Sequence, residues 1–238
     1  MQNLDWVNNK KILVILAHPD DPEFFLGATI ASWTAAGHTV EYALLTHGEN
    51  GVSPEHSEPK ALARLRESEQ QEAAAVLGVR DITWLDYPDG YLVPTLDSRK
   101  RLVALIRAKK PDIVVSCDPT NYYMHGTYLN HPDHRAAGQM VVDAVFPAVG
   151  NPAFFPELLE EGLTPHAVSE LWLSLPAKPN FQLDVTSYWE RRTQALLCHA
   201  SQIGEPQEFL AHQEQRRIEN QTPDGRYCEA FQRIQFRK

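Results

Sequence analysis

The alternation of short apolar runs with helix-length amphipathic stretches predicts an α/β protein: a Rossmann-like, mostly parallel sheet with helices on both faces, in a single domain. Three observations carry this expectation. Residues 12–16 (ILVIL) form an unbroken, β-branched-rich run, the pattern of a strand buried on both faces of a parallel sheet. Strand and helix signals then alternate as βαβαβαβ through residue 116. With 238 residues, 43% of them hydrophobic, the chain can bury a substantial core and falls in the range of one α/β domain.

The elements follow in order. After the first strand, Pro19 and Pro22 forbid a helix through residues 18–21, and Pro22 is well placed to begin one. Residues 23–36 make that helix, with Leu26, Ile30 and Trp33 on one stripe and Gly37 as its stop. Residues 39–46 (TVEYALLT) read as a second buried strand, ending in the polar turn THGENG. An amphipathic helix over 57–77 turns Leu62, Leu65, Ala73 and Val76 inward and ends at Gly78. A third strand over 79–85 leads into DYPDG, a turn by composition. A helix over 98–110 ends at Pro111, and residues 112–116 (DIVVS) form a fourth strand. The next loop, CDPTNYYMHGTYLN, is long and rich in Tyr and Asn, and long ordered loops in compact domains are usually functional. It runs into HPDHRAAG, where Pro132 suits a first helical turn bearing His134. Residues 147–167 are proline-rich and read as an irregular excursion. ELWLSL (170–175) is a fifth strand, FQLDVT a candidate sixth, 187–200 a helix, and 205–218 a charged amphipathic helix.

Composition narrows the function. The formal charge of −9 and a pI near 5.5 argue against a general nucleic-acid or acidic-membrane surface, which needs clustered Lys and Arg, and favour a small-molecule partner. The three cysteines, Cys117, Cys198 and Cys228, are odd in number and widely spaced, so neither a disulfide framework nor a CxxC metal site is implied. The N-terminus is too polar for a secretory signal, and no run approaches a bilayer span. A cytoplasmic protein is expected.

Two clusters carry the chemistry: AHPDD at 17–21 and HPDH at 131–134. They follow the first and fourth strands, which flank the switch point of a doubly wound sheet, so they are expected to meet in space. Together they offer three histidines and three aspartates, enough for two imidazoles and one carboxylate on a metal with a position left for water. Asp21 before Pro22 also reads as a helix N-cap, but capping leaves His18, Asp20, His131 and His134 unexplained. His18-x-Asp20 with a distant histidine also matches the facial triad of a non-haem iron oxygenase, although those enzymes typically use an all-β fold. A nicotinamide-binding domain is disfavoured, because the first strand runs into HPDDPEF rather than a GxGxxG turn.

AHPDDPEF with its Gly-Ala-Thr helix, THGENG, RESEQQEAAAVLGV, DYPDG, HPDHRAAG and HASQ together resemble the PIG-L/LmbE family of zinc-dependent N-deacetylases, over residues 11–202. The resemblance implies a Rossmann-like fold and removal of an acetyl group from an N-acetylated amino sugar or related amide. It implies zinc as cofactor, with iron(II) as the alternative, held by His18, Asp21 and His134. Asp20 becomes the general base, His131 the electrophile or general acid, and Asp133 the carboxylate that orients the His131 ring. Arg66, Glu49 and Asn130 are candidate substrate contacts, Asn130 standing where some members place arginine. Where many relatives carry Gly-Gly after the glutamate of the first motif, this chain has Phe25, Leu26, Gly27 and Ala28, a change expected to reshape the pocket floor. Tyr122, Tyr123 and Tyr128 either stack on a sugar face or cover the site as packing, and His199 is either a pocket or a core histidine. A sugar-binding module that had lost catalysis would lack Asp20 or His131, and both are present. Oligomeric state is left open, a homo-oligomer being compatible with the sequence.

Overall fold

The computed structural model describes residues 4, 6–51, 58–124 and 128–236. In chain order the elements are β1 (Lys11–Leu16), α1 (Asp21–Ala35), β2 (Thr39–Leu44), α2 (Pro59–Leu77), β3 (Ile82–Trp84), α3 (Leu96–Lys109), β4 (Ile113–Cys117) and a small hairpin of β5 (Tyr123–Met124) and β6 (Tyr128–Leu129). There follow α4 (Pro132–Asp143), α5 (Glu157–Glu160), β7 (Glu170–Ser174), β8 (Phe181–Asp184), α6 (Trp189–Leu197), α7 (Ala200–Ile203), α8 (Pro206–Glu219) and β9 (Cys228–Gln235). The sheet order is β3-β2-β1-β4-β7-β9-β8, parallel from β3 to β7 and antiparallel at β9 and β8.

β1 lies at the centre of the parallel part, and both its faces are buried. Leu13 and Ile15 pack with Leu102, Val141 and Leu173 on one side. Ile12, Val14 and Leu16 pack with Trp33, Tyr42, Leu77 and Trp172 on the other. A strand covered on both sides cannot alternate with polar residues, hence the unbroken run. In the β1–β4 register Val14 faces Val115, so the segments after Leu16 and after Cys117 leave the same sheet edge.

Local chemistry sets the boundaries. α3 begins two residues before its expected start because Thr95 and Ser98 form a capping box: Ser98 N–H donates to Thr95 Oγ1 at 3.1 Å and Thr95 N–H to Ser98 Oγ at 2.9 Å. The expected start of α2 at residue 57, and residues 125–127 of the Tyr-rich loop, lie outside the described residues. The excursion at 147–167 is largely irregular, as expected, but opens with a π-helical segment (Ala144–Val149) and contains the single turn of α5.

Two features were not expected. The first is β9, which inserts antiparallel between β7 and β8; its alternation buries only Glu229 and Phe231, too short a period-two signal to stand out from the charged helix before it. The second is a break in α1 at Leu26 (φ −153°). The groups freed there are taken up by partners from far along the chain, because unpaired helix ends need them. Arg192 Nη2 donates to the Phe24 carbonyl at 3.1 Å, while the Glu229 carboxylate accepts from the backbone N–H of Ala28 (3.2 Å) and Thr29 (2.8 Å).

Candidate metal centre and active site

The β1–α1 turn and the start of α4 meet at the carboxyl edge of the sheet, at the switch point between β1 and β4. Asp20 occupies the N-cap of α1 in the left-handed region (φ 80°), and its side chain makes no capping bond. Asp21 is the first residue of the helix, and its Oδ2 accepts from the His18 backbone N–H at 2.9 Å. Asp21 is therefore not the N-cap, and its carboxylate turns back toward His18.

Three side chains converge. His134 Nε2 lies 3.0 Å from Asp21 Oδ1 and 3.3 Å from His18 Nδ1, and His18 Nδ1 lies 3.6 Å from Asp21 Oδ2. The remote nitrogen of each ring faces an acceptor: His18 Nε2 meets Asp89 Oδ1 at 3.0 Å and Asp133 Oδ2 at 3.3 Å, and His134 Nδ1 meets Asn130 Oδ1 at 3.0 Å. If both remote nitrogens carry protons, the near nitrogens turn two lone pairs toward each other and toward a carboxylate. Such an arrangement calls for a cation among them, and carboxylate and carbonyl partners on the far side of metal-ligating histidines are its usual accompaniment. The electrostatics agree. Burial alone would depress His18, but Asp21, Asp133 and Asp89 outweigh it and raise its pKa well above the ordinary value. Burial alone would raise Asp21, but His134 and His18 hold it well below the carboxylate range. Donor atoms of His18, His131 and His134 also lie close enough to share an ion, as do those of His18, Asp89 and Asp133. The second group is already engaged, since Asp133 accepts from Gly90 N–H (2.7 Å) and Leu92 N–H (3.2 Å) and Asp89 from Asn50 N–H (3.0 Å).

Asp20 borders this cluster. Its Oδ2 accepts from Arg66 Nη2 at 3.1 Å, and its backbone N–H donates to Gln70 Oε1 at 2.8 Å. Burial pushes its carboxyl up to about 6, Arg66 opposing and Asp21 adding to the rise. Gln70 in turn donates to both oxygens of Glu23, at 3.1 Å each, and Glu23 meets His199 Nε2 at 3.2 Å. His199 is fully buried, a core histidine in this network.

The expected site residues thus fall into two groups. His18, Asp20, Asp21, His131 and His134 come together. The other expectations differ in detail. Asp133 does not orient the His131 ring through its carboxylate: His131 Nδ1 accepts from the Asp133 backbone N–H at 3.2 Å, while the carboxylate is drawn to His18 and two backbone N–H groups. Burial first, then repulsion from His18 and His134, lower the His131 pKa despite Asp133. Arg66 is buried, donating from Nη1 to Gly48 O and from Nη2 to Pro19 O, both at 2.8 Å, so it clamps two site loops together. A Cβ on Gly48, whose φ is +67°, would lie 2.2 Å from Arg66 Nη1, so only glycine admits the guanidinium. Glu49 accepts from the Asp89 N–H at 2.8 Å, tying THGENG to DYPDG. Asn130 is buried between His134 and the Asn121 carbonyl, to which it donates at 2.8 Å. Tyr123 and Tyr128 stand 75% and 73% exposed, so they do not cover the site as packing. Sequence reading missed Asp89, the second aspartate of DYPDG, whose composition signalled only a turn. It also missed Gln70, which lies on the same face of α2 as Arg66, one turn on.

The chain matches the family described as PIG-L: GlcNAc-PI de-N-acetylase over residues 13–145. It is 38% identical over 196 residues to a diacetylchitobiose deacetylase of Thermococcus kodakarensis, covering 82% of this chain and 71% of that protein. It is 27% identical to a probable N-acetyl-alpha-D-glucosaminyl L-malate deacetylase 2 of Bacillus anthracis, covering 82% and 83%. Among solved structures, an N,N'-diacetylchitobiose deacetylase from Pyrococcus horikoshii, complexed with its inhibitor MPG, superposes with a TM-score of 0.86 at 32% identity, covering 95% of this chain and 84% of that one.

Proposed function

Since the chain belongs to the PIG-L, or GlcNAc-PI de-N-acetylase, family, we propose that it is a metal-dependent hydrolase that removes the acetyl group from an N-acetylated amino sugar or sugar conjugate. The observation that carries the reading is the convergence of His18 Nδ1, His134 Nε2 and the Asp21 carboxylate within 3.0–3.6 Å, with Asp20 beside them. Held by these three residues, zinc, or iron(II) as the alternative, would supply Lewis acidity for the amide carbonyl and for activation of the attacking water.

The remaining work belongs to the chain's own groups. Asp20 accepts the proton of the attacking water, its Oδ2 steadied by Arg66. His131 presents Nε2. Because its Nδ1 accepts from the Asp133 N–H, the neutral ring carries its proton on Nε2 and donates it as a hydrogen bond to the carbonyl oxygen, while the proton that Asp20 takes from water goes on to the leaving amine. Asp133 and Asp89 hold His18 in place, and Asn130 holds His134. The products are acetate and the free amine. The substrate reading is supported by relatives whose names specify N-acetylated sugars and their conjugates. A reducing, cytoplasmic setting is supported by three free cysteines, and among the described residues no helix is long and apolar enough to cross a membrane.

The test is to load the protein with zinc and measure acetate and free amine released from a panel of N-acetylated amino sugars and sugar conjugates. Asp20→Ala is expected to keep its metal while hydrolysis falls about 100-fold or more, whereas His18→Ala loses the metal. Equal metal loss in both variants, by elemental analysis, overturns the division between base and ligand.

A further inference from the structure

The backbone at Asp20 is held in an unfavourable shape. Its φ of 80° lies in the left-handed region, sparsely populated for a residue with a side chain, and its carboxylate makes no capping bond that would favour it there. Restraints act on both sides of its Cα. The Asp20 carbonyl accepts from the N–H groups of Glu23 and Phe24, both at 3.0 Å, so the peptide plane after Asp20 is fixed by the first turn of α1. The plane before it is gripped by α2: the Pro19 carbonyl accepts from Arg66 Nη2 at 2.8 Å, and the Asp20 N–H donates to Gln70 Oε1 at 2.8 Å. In a planar trans peptide the carbonyl and the N–H point in opposite directions, so two side chains one helical turn apart hold the Pro19–Asp20 plane from opposite sides. Turning that plane over would return Asp20 to a negative φ, but it would set the Pro19 oxygen against Gln70 Oε1, two acceptors face to face.

That opposition lasts only while the Gln70 amide keeps its orientation, and a buried network sets it. Both oxygens of Glu23 accept from Gln70 Nε2, at 3.1 Å each. The Tyr42 hydroxyl donates to Glu23 Oε1 at 3.3 Å, and His199 Nε2 lies 3.2 Å from Oε2. Glu23, Gln70 and His199 are fully buried. A carboxylate only accepts, so the amide turns its NH2 to Glu23 and its oxygen to Asp20.

We infer that Gln70, oriented by Glu23, is a positioning residue for the general base: with Arg66 it clamps the Pro19–Asp20 peptide and so aims the Asp20 carboxylate beside the metal cluster. The inference rests on the deacetylase reading for the role of Asp20 as base, and it adds the groups that hold that base in its strained place. A displacement of about 1 Å at a reacting group costs on the order of 100-fold in rate, so such a grip is felt in turnover rather than in substrate or metal binding.

The experiment measures zinc content, kcat and KM for acetate release from N-acetylglucosamine and a β-linked N-acetylglucosamine disaccharide, together with crystal structures of wild type and Gln70→Met. Methionine keeps the length and shape of glutamine without its amide. Gln70→Met is expected to lower kcat about tenfold or more, with zinc content unchanged and KM within about twofold. Introduced into Asp20→Ala, the same change is expected to alter the residual rate less than about twofold, because a group that acts through Asp20 has nothing left to position. Glu23→Gln keeps the shape but lets the Gln70 amide turn either way round, and about a threefold or larger fall in kcat is expected; where Gln70→Met does not fold, Glu23→Gln replaces it in every measurement. An unchanged kcat, a parallel loss of zinc, or an equal fall in the wild-type and Asp20→Ala backgrounds overturns the positioning role. If wild type hydrolyses neither compound, the deacetylase reading falls and the crystal structures decide: the clamp stands if Asp20 leaves the left-handed region in the variant, and falls with that reading if its φ is unchanged.

Discussion

Replacing Asn130 with leucine tests the metal centre from behind. Asn130 is 2% exposed; its Oδ1 lies 3.0 Å from His134 Nδ1, and its Nδ2 donates to the Asn121 carbonyl at 2.8 Å. Leucine is similar in size but offers no acceptor, so the His134 ring loses the partner that keeps the proton on Nδ1 and the lone pair on Nε2. Loss of such a partner typically weakens metal binding 10- to 100-fold, or about 1.4–2.8 kcal/mol. The change also strands an imidazole N–H and a carbonyl, at about 1–3 kcal/mol for each buried group. Asn130→Asp retains the acceptor and adds charge, so it is expected to bind metal at least as tightly as wild type, while losing the bond to Asn121. The assay is competition for zinc between metal-free protein and a chromophoric chelator, with thermal unfolding run in parallel to separate affinity from stability. If the leucine variant binds zinc like wild type, or the aspartate variant is as weak as the leucine one, the role of His134 Nε2 as a ligand atom is refuted.

Three further outcomes follow from the packing. Arg66→Lys keeps a cation near Asp20 but cannot bridge Gly48 O and Pro19 O together, so kcat is expected to fall about tenfold or more with metal content unchanged; elemental analysis beside kinetics checks this. Gly138→Ala places a Cβ 2.3 Å from the Cys117 carbonyl, forcing α4 off β4 one turn after His134; calorimetric unfolding should show roughly 1–3 kcal/mol of lost stability, and zinc titration a weaker site. Glu170 accepts from Trp6 (3.1 Å), Trp172 (2.7 Å) and Arg233 (2.8 Å from both Nε and Nη2). Burial would raise its carboxyl, but Arg233 and the two indoles outweigh burial and hold it below its ordinary value of 4.5. A depressed folded-state pKa means that the group stabilises the fold above its unfolded value and that this contribution is lost as pH falls through the folded one. Urea unfolding from pH 7 to pH 3 should therefore show a steeper acid-side loss in wild type than in Glu170→Gln; parallel profiles would contradict the assignment.

The contrast between what was legible in the sequence and what was not has a physical basis. The parallel core could be read because β1 is buried on both faces, and a doubly buried strand must be continuously apolar. Both halves of the His/Asp cluster could be read because each is contiguous, His18 to Asp21 and His131 to His134, and strand-end position is fixed by the βαβ order. The partners that orient the cluster were hidden because their roles depend on side-chain direction. Asp89 sits in a turn whose composition explains it without function, and Asp133 turns away from its neighbour His131 toward His18, 115 residues back in the chain.

The sequence by itself determined the α/β alternation, the switch-point edge and the chemical character of the two histidine motifs, since these follow from periodicity and from residues close together in the chain. Only the tertiary structure decided that Arg66, Glu49 and Asn130 spend their polar groups on neighbouring loops and rings. Only it placed β9 beside β7, brought Glu229 to the break in α1, and set Gln70 against the Asp20 N–H. Those pairings join residues up to about 200 positions apart. No local spacing encodes them; they arise when buried polar groups find partners during packing.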